Sequence, residues 1–158
     1  MVSHWNPSTP GHPLRHTNLI ANGWKRLVDF YVTVFGCRPT GPERHNHGPM
    51  IAALTAIPGA AVRGQHVRLP GHGENGPTLE IFQYHRNDET GPARLNRPGF
   101  GHLAFEVPDV EKKRAEIHAW GGRDVGELVT IAIPNAGKLT LIYVTDPEGN
   151  ILELQKWH

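Results

Sequence analysis

His16 and His102 each open a stretch in which apolar and polar residues alternate. Glu80 and Glu153 each stand at the centre of another, in the near-identical phrases TLEIF and ILELQ. Two imidazoles and two carboxylates around one point suit a divalent metal of borderline hardness, with room left for water or substrate oxygens. The chain holds 11 histidines in 158 residues, so other ligands have to be weighed. His45 and His47 form a rival pair, in a Gly/Pro-rich segment that offers no third ligand at useful spacing. His66 and His85 are read as exposed rather than lining a cavity. Glu106 shares a face with His102 near the end of its strand and is read as a supporting or exposed group.

The elements that must position these residues recur. LRHTNLIA (14–21) has strand character, and NGWKRLVDFYVTVFG (22–36) has Trp24, Leu27, Val28, Tyr31 and Phe35 at helical spacing. Asn22 is its expected N-cap and Gly36 its C-cap. A short strand from Cys37 runs into a loop, 50–57 reads as a short helix, and 61–69 and 78–84 read as strands. The polar, turn-rich segment 85–98 is the best internal boundary. Beyond it, GHLAFEV (101–107) alternates, PDVEKKRAEIHAW (108–120) is helical and stops at Gly121-Gly122, and three strands follow over 129–157, broken by Pro134–Gly137 and by the turn DPEGN (146–150).

The order strand, helix, strand, strand, strand therefore occurs twice. His16 and His102 occupy the same place in the two copies, as do Glu80 and Glu153. The first copy is longer, with the excess expected in 41–60 and 70–77. Parity completes the argument: Leu79 and Ile81 oppose Glu80, and Leu152 and Leu154 oppose Glu153. The apolar set can pack under a helix, which leaves the His and Glu set on the concave face.

Composition narrows the function. Lys+Arg total 16 and Asp+Glu 15, so no basic stripe argues for nucleic acid and no polybasic segment for a membrane surface. Cys37 is the only cysteine, which excludes an intrachain disulfide and a Cys-type zinc site. No apolar run reaches membrane-span length, and the first residues lack a signal-peptide core, so a cytoplasmic location is the expectation.

GFGHLAFEVPDV (99–110), DPEGNILELQ (146–155) and RHTNLI…FYVTVFG resemble the vicinal oxygen chelate superfamily over residues 14–157. That group includes glyoxalase I, methylmalonyl-CoA epimerase, extradiol dioxygenases, and fosfomycin- and bleomycin-resistance proteins. The resemblance implies an α+β fold, two βαβββ modules forming a cupped mixed sheet around a metal site. Residues 1–13 would be an N-terminal arm and 14–158 a single domain, with module one at 14–84, a connector at 85–98 and module two at 99–157. His16, Glu80, His102 and Glu153 fall one by one on the four-ligand pattern of glyoxalase I. One Zn, Ni, Co, Mn or Fe ion per site is implied.

Tyr84 stands where glyoxalase I carries an Asn for the glutathione arm, and Pro98 where an Arg usually precedes GFGH. The resemblance thus implies a glyoxalase-like metal-dependent lyase or isomerase that moves a proton beside a carbonyl of a small substrate not yet assigned. Glu153 is the first choice as base and Glu80 the second, with Phe82, Tyr84 and Tyr143 as substrate-lining candidates. The alternatives are an Fe(II)-dependent ring-cleaving dioxygenase and a metal-free antibiotic-binding protein of the same fold. A homodimer is expected, with the site within one chain or shared between two.

Overall fold

The structure is a computed structural model that describes residues 11–89 and 91–158. Most of the expected N-terminal arm lies outside the described residues; Gly11–Arg15 carries no regular structure. The chain runs β1 (His16–Ile20), α1 (Trp24–Phe35), β2 (Arg38–His47), α2 (Pro49–Thr55), β3 (Ala61–Arg68), β4 (Thr78–Tyr84), β5 (Leu103–Glu106), α3 (Val110–Ala119), β6 (Val129–Ile133), β7 (Gly137–Thr145) and β8 (Ile151–Trp157). Two four-stranded mixed sheets result, ordered β1-β4-β3-β2 and β5-β8-β7-β6. In each, the first strand pairs parallel to the last and the remaining pairs are antiparallel. These are the two βαβββ modules. Among the described residues no helix is long and apolar enough to cross a membrane.

The excess length of the first module lies in a ten-residue β2, in α2, and in the turn-rich link between β3 and β4. The Gly and Pro of 37–49 predict a short strand running into a loop, whereas β2 continues to His47. An edge strand tolerates both, since one side of its ladder is unpaired, and β2 is an edge.

Helix α1 forms because Trp24, Leu27, Val28, Phe30, Tyr31 and Val34 make a buried stripe. It stops where Gly36 turns left-handed (φ 69°) and the Gly36 and Cys37 amides return to the Val32 and Tyr31 carbonyls. Its N-terminus corrects the Asn22 expectation: no local side chain caps it. The Glu148 carboxylate arrives from the second module instead, accepting from the Asn22 amide (3.0 Å) and the Gly23 amide (2.8 Å). Helix α3 is capped locally, with the Asp109 carboxylate accepting from the Lys112 amide at 2.9 Å.

The helices carry the core between the sheets. Leu27, Phe30, Tyr31, Leu79, Ile81, Ile117, Ile142, Leu152 and Leu154 are fully buried. Each such side chain is worth about 1.5–3 kcal/mol in water removed. The modules join here: Phe35 of α1 stacks on Phe105 of β5 at 4.0 Å, and Phe30 meets the Trp120 ring edge-on at 6.1 Å. The Tyr31 hydroxyl donates to Asp146 at 3.0 Å, in the DPEGN turn. That carboxylate also accepts from the Glu148 and Asn150 amides and from the Asn150 side chain, so one buried acid both shapes the turn and ties it to α1.

Candidate metal centre

The core takes one face of each sheet, so the other face carries the polar set. On β4, Leu79 and Ile81 are fully buried and Glu80 lies on the reverse side. On β8, Leu152 and Leu154 are buried and Glu153 is reversed. The register repeats between modules: Asn18 pairs with Glu80 and Ala104 with Glu153, so His16 and His102 each stand two residues before the partner of a Glu. Two residues along a strand returns a side chain to the same face.

The contacts follow. His16 Nε2 lies 3.6 Å from a Glu80 oxygen, and His102 Nε2 lies 3.1 Å from a Glu153 oxygen. Each half-site is thus an imidazole and a carboxylate already side by side. Among the described residues, no group of three or more His, Cys, Asp or Glu is arranged within one chain to hold a metal. The four expected ligands therefore come together as two pairs, not as one quartet, in a single chain.

The third antiparallel strand of each module adds a neighbour. His66 on β3 is directly opposite Glu80, and Tyr143 on β7 is directly opposite Glu153. His66 Nε2 lies 3.1 Å from Glu80 and its Nδ1 sits 3.0 Å from the Thr78 hydroxyl. The expectation of an exposed His66 is corrected: its side chain is only 17 % exposed. Its placement depends on the β3–β4 register, although its parity against buried Val67 was visible in the sequence. Burial lowers the His66 pKa; the Glu80 charge acts in the opposite direction, and Arg44 and His16 add to the lowering.

Tyr143 lies against the His102 ring, with centroids 5.0 Å apart. Burial raises its phenol pKa, and the neighbouring Glu153 charge raises it further. Phe82 meets the His66 ring edge-on at 6.0 Å. Tyr84 is further along β4 and borders a cavity of about 320 Å³ with Trp24, His45, Arg63, Gln83 and His85, so His85 is exposed as expected but also lines a cavity, which corrects the other half of that reading. Glu106 is exposed. His45 and His47 have rings 5.2 Å apart on β2, within a strand and not the expected loop.

A model of the Glyoxalase/Bleomycin resistance protein/Dioxygenase superfamily matches residues 14–154. The chain belongs to that superfamily. No curated protein matches the sequence. Among solved structures, a glyoxalase family protein from Bacillus cereus is similar at 16% identity, with a TM-score of 0.79 over 97% of this chain and 99% of that one. A glyoxalase family protein from Enterococcus faecalis is 24% identical, with a TM-score of 0.54 over 90% and 95% of the two chains. A genomically encoded fosfomycin resistance protein from Listeria monocytogenes, complexed with Mn(II) and sulfate, is 14% identical, with a TM-score of 0.51 over 100% and 95%. At these identities the likeness is one of fold. The superfamily contains metal-dependent enzymes and binding proteins alike, and the half-sites have to speak for themselves.

The donor set fits a divalent ion. Each pair offers one nitrogen and one carboxylate oxygen with, among the described residues, no Lys or Arg ion pair to either Glu, and a carboxylate facing an imidazole at 3.1–3.6 Å is positioned to share a metal with it.

Proposed function

We propose that the protein is a divalent-metal-dependent lyase or isomerase that moves a proton beside a carbonyl of a small substrate. The observation that carries this reading is the repeated His/Glu pair at identical register in both modules. His16, Glu80, His102 and Glu153 would hold the ion. When bound, it would act as a Lewis acid that acidifies the carbon next to the substrate carbonyl and offsets the charge gathering on oxygen. Because each chain assembles the ligands only as pairs, we propose a homodimer in which the His16–Glu80 pair of one copy faces the His102–Glu153 pair of the other.

In this reading the chain's own residues divide the work. His16 and His102 would each give the ion a lone pair from an unprotonated ring nitrogen and take no part in the proton transfer. Glu153 is the base: its carboxylate is 12 % exposed and has His102 and Tyr143 as neighbours. A carboxylate there can take a proton from one substrate carbon and return it to the adjacent one. The Tyr143 phenol, directly opposite Glu153 on the neighbouring strand and against the His102 ring, would serve as a hydrogen-bond donor there. His66 orients Glu80 from the opposite strand, a supporting contact of the kind that tunes ligand carboxylates. Phe82 and Tyr84 supply apolar surface on the same strand for the substrate.

Two experiments test this. Glu153→Gln should keep most of the metal, read by mass spectrometry at about one ion per chain, and lose at least about 100-fold in turnover; full activity in that variant removes Glu153 as base. Mixing a His16→Ala/Glu80→Ala chain with a His102→Ala/Glu153→Ala chain should restore one intact metal site per mixed dimer. Restoration of none would place each site within a chain.

A further inference from the structure

A cationic side chain lies on the same face as the His16–Glu80 pair, and it is placed there by a distortion of β2. The β2–β3 ladder is regular up to Thr40↔His66 and resumes at Arg44↔Gly64. An undistorted ladder would put Pro42 opposite Gly64. Two additional residues are looped out between, with Gly41 in the left-handed region at φ 68°. The loop is pinned from beneath: the Gln65 side chain, only 6 % exposed, donates to both the Thr40 carbonyl (3.0 Å) and the Gly41 carbonyl (2.9 Å). Both hydrogens of one buried amide are spent on holding this bulge.

The bulge adds an even number of residues, so it preserves side-chain parity and delivers Arg44 to the face that carries His66, Glu80 and Phe82. The guanidinium folds back over Gly41, with a terminal nitrogen 3.9 Å from where a Cβ there would sit. The Arg44 guanidinium makes no hydrogen bond or ion pair with any described residue. Arg38 and Arg68, its neighbours on this face, are both engaged, with Glu74 and with the Gly76 carbonyl. Between Arg44 and Glu80 lies Gly64, and the Phe82 ring covers it: a Cβ at 64 would be 2.3 Å from Phe82 Cδ1. The result is an aromatic floor with a free cation at one end and the His/Glu pair at the other.

We propose that Arg44 is a specificity-determining residue that binds an anionic arm, carboxylate or phosphate, of the substrate, so that the substrate class is an anionic hydroxycarbonyl compound. This rests on the metal-centre reading above. Two imidazoles and two carboxylates neutralise a divalent ion, so the centre itself has no net charge with which to attract an anionic arm. A separate cation is needed for that, and a guanidinium can meet a carboxylate or phosphate through two parallel hydrogen bonds.

The test uses the full chain loaded with cobalt(II) and two oxygen chelators that differ in one group, benzohydroxamate and 4-carboxybenzohydroxamate, with a phosphonate analogue to separate the two anions. The native protein should bind an anionic probe about tenfold more tightly than the neutral one. Arg44→Gln should abolish that preference while leaving the affinity for benzohydroxamate unchanged, and Arg44→Lys should keep part of it. A second readout needs no metal: the Arg44 Nε–H signal should shift and saturate with benzoate or inorganic phosphate, and not with benzamide. Equal binding of neutral and anionic probes by the native protein overturns the proposal and leaves the metal centre standing; Arg44 then serves only to charge an exposed sheet edge. If no hydroxamate binds but the Arg44 signal still responds to anions, the metal-centre reading fails and the anion site survives. Silence in both readouts overturns both.

Discussion

Removing the Asp146 carboxylate should damage the protein more than removing any exposed acid, and the structure sets the size of the effect. Asp146 is 1 % exposed and accepts four hydrogen bonds, from the Tyr31 hydroxyl, the Glu148 and Asn150 amides and the Asn150 side chain, at 2.8–3.0 Å. Asp146→Ala leaves a fully buried phenol and two turn amides without an acceptor. Allowing water to reach the turn amides but not Tyr31, the cost is about 3–5 kcal/mol, equivalent to a fall of roughly 10 °C in Tm for a chain of this size. Asp146→Asn keeps an oxygen for the two amides and should cost about 1 kcal/mol. Urea unfolding of these variants, and of Tyr31→Phe alone and with Asp146→Ala, measures the effect. The double-mutant cycle should return a coupling of at least about 1 kcal/mol.

The same residue gives a pH signature. Burial raises its pKa above the ordinary carboxylate value, and the hydrogen bonds only partly oppose this. The folded chain therefore binds more protons than the unfolded chain between the two values. Stability from this group falls as pH rises through that window, and is level above it. The native protein should lose stability relative to Asp146→Asn as pH increases from about 4. An alanine variant within 1 kcal/mol of native, or a difference curve of the opposite slope, would refute the reasoning.

Three further outcomes are expected. Glu148→Ala removes the anion at the positive end of α1, leaving the Gln83 side chain on the Trp24 amide, for about 1–2 kcal/mol, and exchange of the Asn22 and Gly23 amides should quicken; unchanged exchange there would deny the cap. Gly64→Ala forces a Cβ to within 2.1 Å of the Ile81 carbonyl oxygen and should destabilise by about 1–3 kcal/mol in thermal unfolding. Burial pushes the Cys37 thiol up to about 11, so a disulfide reagent at pH 8 should label it only after unfolding, and prompt labelling of the native protein would contradict this.

Much of the architecture was written locally. Alternation of two fixed which face of β4 and β8 is apolar, and so turned Glu80 and Glu153 away from Leu79, Ile81, Leu152 and Leu154. Helical spacing marked the buried stripe of α1, and the repeat of His and Glu picked out both half-sites, because these are properties of a few consecutive residues. Strand β2 was harder: its Gly and Pro read as loop because nothing local says that the strand lies at an edge.

What escaped the sequence depends on partners far along the chain. His66 meets Glu80 only once the β3–β4 register is set, Arg44 reaches its face only through a bulge held by Gln65, and α1 is capped by Glu148 more than a hundred residues away. The arrangement of the four proposed ligands as two His/Glu pairs is of the same kind. Sequence alone determined the face that each of the four side chains occupies, since side-chain direction follows from the strand period. Only tertiary packing, with Phe35 on Phe105 and Tyr31 on Asp146, decided how the two modules stand against each other, because that depends on contacts no local pattern encodes.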